Sequence, residues 1–112
     1  MAAMIASVAA ASGDEVSVFF SMNAMSYFVK GRTAEPPNEG EFGALMAADK
    51  GVPSFKQLFK YAAELGDATL LPCSMAVDLL RITEADLDPE LGPPTGLTRF
   101  LADAEGAQLF TF

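Results

Sequence analysis

The chain has no histidine and only one cysteine, Cys73. Without an imidazole, a single copy cannot build a Cys–His dyad or a Ser–His–Asp triad, and most transition-metal sites lose their usual nitrogen ligand. One thiol excludes an intrachain disulfide framework and a structural zinc site, and it suits a reducing cytosol. Positive charge is scarce too: 7 Lys and Arg stand against 15 Asp and Glu, a net charge of −8. Nucleic acid and anionic membrane surfaces need clustered Lys and Arg, so neither is an expected partner. No apolar run is long enough to span a bilayer. No G-x-G-x-x-G follows a strand-like run, so a dinucleotide fold has no support, and there is neither a metal motif nor a low-complexity segment.

What is present is apolar and acidic. Of 112 residues, 51% are hydrophobic, and the mean hydropathy is +0.27. The length fits one domain, residues 1–112. Such a chain either builds a sizeable core or buries apolar surface against another subunit, with the acids keeping it soluble. Met1–Gly13 is rich in Ala and Met and lacks the basic start of a signal peptide. It reads as a helix with a wall of small residues suited to close packing on a sheet, ended by Gly13. Glu15–Phe20 is β-branched and aromatic, as a buried strand is. In Ser21–Lys30, Met22, Met25, Phe28 and Val29 fall at helical spacing, and Gly31 would end that helix. Gly31–Gly43, with Glu35–Glu41 at its centre, is the long loop, read as a flap over the site, a partner contact or a plain surface excursion. Phe42–Ala48 allows a short helix. Ser54–Leu65 is the clearest helix: Ser54 is a good N-cap, and Phe55, Leu58, Phe59, Ala62 and Leu65 form one apolar stripe ended by Gly66. Thr95–Glu105, ended by Gly106, and the run Ala107–Phe112 give a third helix followed by a strand. Helix-then-strand three times in series predicts an α/β three-layer sandwich with a mostly parallel sheet, its strands near Val16–Phe20, Thr69–Leu71 and Gln108–Thr111.

The stretch that organises the rest is Ala68–Leu87. An apolar strand, Ala68–Leu71, leads through Pro72 to Cys73, followed by the amphipathic run Ser74–Ile82 and then Thr83–Asp86, a capping-box pattern. The only thiol therefore stands where a buried strand hands over to a helix. Ligands gather at the carboxyl ends of parallel strands, and a helix start offers free N–H groups and partial positive charge. Both favour the thiolate, the reactive form. The competing reading is that a lone cysteine is a small buried hydrophobe.

The order Cys73-Ser74-Met75-Ala76-Val77-Asp78-Leu79-Leu80, then Ile82 and Thr83-Glu84-Ala85-Asp86-Leu87, resembles the DsrE/DsrF-like family of sulfur-relay proteins. The resemblance extends more loosely from about Glu15 to Phe112. Arg81 departs from it, since many relatives have glycine after the short helix, which leaves the shape of that turn open. The resemblance also implies a first strand ahead of the N-terminal helix, which is missing here. It implies that Cys73 carries sulfur as a persulfide, with no metal or organic cofactor, between sulfur donor and acceptor proteins in the cytoplasm. It implies that the turn after Phe20 borders the cysteine, so Ser21, Met22 and Asn23 are pocket-lining candidates together with Ser74, Met75 and Gly96. For Ser21 and Asn23, helix capping is the competing role. Asp78 is expected to orient its helix or meet a neighbouring subunit, since a nearby negative charge would raise a thiol's pKa. A homo-oligomer (dimer, trimer or hexamer) is expected, with a neighbour's Arg32, Lys50, Arg81 or Arg99 brought towards Cys73. Two other functions stay open: a structural member of the same fold with an inert cysteine, and a small-ligand domain using the strand-end cleft.

Overall fold

The structure is a computed structural model and describes residues 1–32, 37 and 40–112. At its centre, β1 (Ser17–Phe20) and β2 (Thr69–Pro72) pair in parallel, with Ser17 opposite Thr69 and Phe20 opposite Pro72. The ladder continues one residue further through Cys73 N–H to the Phe20 carbonyl, 2.8 Å. On its other edge β2 meets residues 92–95: Gly92 N–H donates to Leu70 O at 2.7 Å, and Thr95 N–H to Pro72 O at 2.9 Å. Proline is tolerated as the last residue of β2 because a parallel strand turns alternate N–H groups to opposite sides. Thr69 and Cys73 donate towards β1, so the N–H missing from Pro72 would have pointed away from it.

Side chains of adjacent strand residues point to opposite faces, and Phe19 and Phe20 use both. Phe20 meets Phe59 of α3 (Phe55–Gly66) edge-on at 4.8 Å. Phe19 stacks on Phe100 of α5 (Leu97–Asp103) at 5.1 Å. Helices therefore cover both faces, giving the three-layer α/β arrangement with a parallel sheet that the repeated helix–strand order predicts. Phe20 also lies 4.2 Å from Phe28, and these rings join Met25, Leu70, Val77 and Leu87 in the main core.

The N-terminal helix, α1 (Ala2–Ala11), buries Ala3, Ala6 and Ala10. Its tightest approach is to α3 rather than to the sheet: a Cβ on Gly66 would stand 2.5 Å from the Ala10 Cβ and 2.8 Å from its carbonyl carbon. Gly66 is therefore a packing residue inside α3, not the helix stop expected of it. The left-handed stop is Asp67, at φ 56°. α1 does end at Gly13 as expected, at φ 94°. There Asp14 N–H donates to Ala9 O and Gly13 N–H to Ala10 O, the Schellman pattern. Ser54 caps α3 as read, its hydroxyl accepting from Gln57 N–H at 3.1 Å.

Two expectations need correction. Met22–Phe28 is a 3-10 helix, not an α-helix; the spacing of Met22, Met25 and Phe28 is the three-residue repeat of that tighter helix. As read, the run after Cys73 begins with a short helix, α4 (Ser74–Leu79), and a second helical turn, the 3-10 turn Glu84–Asp86, follows. Thr83 and Asp86 do close the turn, with Thr83 N–H to Asp86 Oδ2 at 2.8 Å. The predicted strand over Gln108–Thr111 does not form: residues 107–112 are irregular and exposed. Strand propensity is realised only when a ladder forms with a partner edge, and residues 107–112 make no bond to β1 or β2. The short helix expected over Phe42–Ala48 is present as α2 (Gly40–Ala48). The flap expected of Glu35–Glu41 falls largely on residues 33–36 and 38–39, outside the described residues.

Candidate functional site

Cys73 stands at the carboxyl end of β2 and is the N-cap of α4, with extended backbone at φ −69° and ψ 121°. Three chain segments hold it. Its N–H donates to Phe20 O, its carbonyl accepts from Val77 N–H at 3.0 Å, and the adjacent Ser74 N–H donates to Thr95 O at 2.9 Å. Cys73 and Thr95 thus form a parallel bridge beside the end of the sheet. The position follows from the local sequence. Pro72 closes the strand, and a helix start requires one residue whose side-chain acceptor faces the free N–H groups of the first turn. Ser74 is the first helical residue, and the capping place belongs to Cys73.

The cysteine is free and 5% exposed, within the main core cluster. Burial alone pushes its thiol up, but the Ser21 side chain and the backbone N–H groups of Ala76 and Met75 outweigh it, and the pKa is lowered. These donors favour the anion because each places a partial positive hydrogen towards the sulfur. As it stands, Sγ accepts no well-directed cap bond of the Ser or Asp kind. None of the groups that lower the pKa carries a formal charge. Arg99 is instead engaged with Asp103 at 3.2 Å, and Arg81 is exposed beyond α4.

The expected pocket residues divide. Ser21 occupies the N-cap of the 3-10 helix but makes no capping bond there, which leaves its hydroxyl for Cys73. Met75 contributes its N–H to the site while its side chain is exposed. Ser74 is pinned beside the sulfur by Thr95 through its backbone. Met22 begins the 3-10 turn in the left-handed region, at φ 53°, with its side chain in water. Asn23 is exposed and lends only its carbonyl to Ser26 Oγ, at 2.9 Å. Gly96 is the exposed N-cap of α5, next to the Thr95 bridge. Asp78 faces water on α4. The loop before Thr95 was expected beside Cys73, as it is, but two individual roles were not foreseen: that of Ala76, whose N–H helps hold the anion, and that of Thr95, whose backbone braces Cys73. The first was legible in principle, since an N-cap acceptor meets the N–H groups two and three residues on. The second depends on residues 92–95 folding back onto β2.

Two shallow clefts lie elsewhere on the surface. One shallow cleft is lined by Ser54, Lys56, Lys60, Asp88 and Glu90, and another by Ala10, Gly13, Asp14, Leu65 and Gly66. Neither includes Cys73. In the first, Lys56 Nζ lies 2.8 Å from Asp88 Oδ2 and also donates to Arg32 O at 3.1 Å, clamping α3 to the segment after the second 3-10 turn. Among the described residues no helix is long and apolar enough to cross a membrane.

Comparison with curated proteins gives no match. A family model described as DsrE/DsrF/DrsH-like matches residues 39–112. The match takes in β2, Cys73, α4 and α5 but begins after β1 and Ser21. It covers well over half of the chain, and the sole cysteine lies inside it at a strand-to-helix junction. The protein belongs to the DsrE/DsrF/DrsH-like family, which ties it in general terms to sulfur relay.

Proposed function

We propose that the chain carries sulfane sulfur as a persulfide on Cys73, passing it between donor and acceptor proteins. The observation that carries this reading is the place of Cys73 at the carboxyl end of β2 and the N-cap of α4, where nearby uncharged donors of Ser21, Ala76 and Met75 hold its pKa lowered despite burial. In the transfer, the Cys73 thiolate attacks the outer sulfur of a donor persulfide. A sulfur–sulfur bond forms to Cys73, the donor's own sulfur–sulfur bond breaks, and the donor leaves as a thiolate. The reverse step onto an acceptor thiolate regenerates Cys73, with no net oxidation and no bound cofactor. The same donors would stabilise the anion of the persulfide. Because Cys73 is 5% exposed, transfer requires docking to uncover it, so the turn at Ser21–Met22 and the start of α4 yield when a partner engages. We further propose that a single domain spans residues 1–112, that it works in the cytoplasm, and that it is a homo-oligomer, since Val8, Phe42, Leu79, Leu109 and Phe112 leave large apolar side chains in water.

Burial favours a second reading, a structural member of the family whose cysteine is inert. Intact-mass measurement of the native protein after incubation with a small persulfide donor separates the two. Addition of one sulfur atom, absent in Cys73→Ser and reversed by an added thiol, supports the carrier. No addition until the protein is unfolded supports the structural reading.

A further inference from the structure

Three side chains stand in one row at the carboxyl end of the sheet. Phe20 lies opposite Pro72 in the β1–β2 ladder, and Cys73 N–H still donates to Phe20 O, so the next pair in register is Ser21 with Cys73. On its other side Cys73 lies opposite Thr95 in a parallel bridge. Thr95 N–H to Pro72 O and Ser74 N–H to Thr95 O, each 2.9 Å, close that bridge. Ser21 and Cys73 both keep extended backbone, at φ −138° and φ −69°. Residues opposite each other in a ladder turn their side chains to the same face, with Cβ atoms ~4.5–5.5 Å apart. Two hydroxyls therefore flank the thiol, Ser21 from the end of β1 and Thr95 from the segment that leads into α5.

The two hydroxyls are not equivalent. The Ser21 side chain acts on the Cys73 sulfur, as do the Ala76 and Met75 N–H groups, and Thr95 is not among them. Among the described residues the Thr95 hydroxyl makes no hydrogen bond. Residue 95 is held by its backbone, and any β-branched side chain would suit that extended position. The hydroxyl is the part of Thr95 that the fold does not use.

We propose that the Thr95 hydroxyl holds the outer sulfur of a Cys73 persulfide, while Ser21 and the first N–H groups of α4 hold the inner one; the proposal rests on the carrier reading above. The outer sulfur stands about 2 Å beyond Sγ, which brings it within reach of a hydroxyl one ladder spacing, ~4.8 Å, away. A threonine hydroxyl donates to the anion of a persulfide and accepts from its neutral form, so Thr95 serves the sulfur as it arrives and as it leaves. When an acceptor thiolate attacks the outer sulfur, a new sulfur–sulfur bond forms to the acceptor, the bond to Cys73 breaks and Cys73 leaves as a thiolate. The inner donors stabilise that leaving group, and Thr95 keeps the outer sulfur oriented for the attack. Formal charge has little part in this. β1, β2, the 3-10 helix Met22–Phe28 and residues 92–95 have no charged residue, and those of α4 and α5, Asp78, Arg99 and Asp103, are exposed, with Arg99 paired to Asp103.

Alkylation of the native full chain across a pH series, read by intact mass, tests it. The chain as purified gives a midpoint for the Cys73 thiol. After loading with a small persulfide donor it gives a second midpoint, for the persulfide, whose adduct is one sulfur atom heavier. Thr95→Val keeps the branched shape and the backbone bonds but loses the hydroxyl. In it the persulfide midpoint is expected to rise by roughly 0.5–1 pH unit, the size of one partly exposed hydrogen bond to a charged group, while the thiol midpoint stays. Thr95→Ser is expected to keep both midpoints. A persulfide midpoint unchanged in Thr95→Val overturns the role of Thr95 and leaves the carrier reading standing. Two midpoints that move together put Thr95 on the inner sulfur and overturn the proposal as well. A parent chain that takes up no sulfur overturns both readings. Thr95→Ala, which also lacks the hydroxyl, is expected to match Thr95→Val, and a parental persulfide midpoint in it overturns the proposal even if valine disturbs the fold.

Discussion

Replacing Gly66 by Ala adds one methyl group where α3 lies directly against α1. Two effects oppose each other. Gly66 lies within α3, and alanine in a helix is favoured over glycine by about 1 kcal/mol. The new Cβ, however, would meet Ala10 Cβ at 2.5 Å, its carbonyl carbon at 2.8 Å and its carbonyl oxygen at 2.9 Å. Two of those three atoms are backbone in the last turn of α1, where no rotamer change relieves the overlap. Forcing a methyl group into a packed contact costs typically about 1–3 kcal/mol, occasionally more, when a helix must shift. The last helical residue gains less than the full interior propensity, so the overlap wins, and the expected net loss is about 1–2 kcal/mol. For a domain of this size that is a fall in melting temperature of roughly 5–10 °C. The assay is a thermal or urea melt followed by circular dichroism, with Ala10→Gly as a second substitution. Ala10→Gly removes the 2.5 Å contact but not the backbone ones, so it should restore only part of the loss. A Gly66→Ala variant as stable as the parent would refute the close approach, and full restoration by Ala10→Gly would refute the backbone as its rigid part.

Arg81 sits at φ 55° in the residue after the C-cap of α4, where Arg81 N–H donates to Asp78 O and Ile82 N–H to Val77 O. This is the Schellman place that glycine fills without strain, so Arg81→Gly is expected to raise stability by about 0.5–1 kcal/mol in a urea melt. Ser21→Ala removes one of the donors at Cys73, so the pH midpoint of its reaction with a thiol reagent, below that of a free cysteine in the parent, should move upward. An unchanged midpoint would remove Ser21 from the site. Because the folded-state pKa of Cys73 is depressed, the unfolded chain holds its proton to higher pH. Stability should therefore rise with pH through the folded-state midpoint and level off above the ordinary cysteine value of about 8.5, a rise absent in Cys73→Ser. Lys56→Met leaves Asp88 without its cation in a half-buried cleft and should cost about 1–3 kcal/mol, read as a shifted urea midpoint at constant slope.

Local chemistry made several features legible in the sequence. The small-residue helix ending at Gly13, the capped stripe of α3, the Thr83–Asp86 turn, the strand-to-helix position of Cys73 and the parallel order of helix and strand all follow from interactions within a few residues of one another. Pattern and capping report such interactions directly. Arg81 could be picked out as an oddity, but its left-handed backbone emerged only once α4 was seen to stop at Leu79. Other features required distant segments to meet. Gly66 looked like a helix stop because its neighbour Ala10 is far away in sequence. Ser21 was indistinguishable from an ordinary cap until the end of β1 came beside the start of α4, freeing its hydroxyl for the sulfur. The tail shows the division most clearly. By composition residues 107–112 favour a strand, but strand formation needs a second edge to supply its hydrogen bonds. Residues 107–112 make no bond to β1 or β2, so tertiary structure, not propensity, decides that the tail stays unpaired.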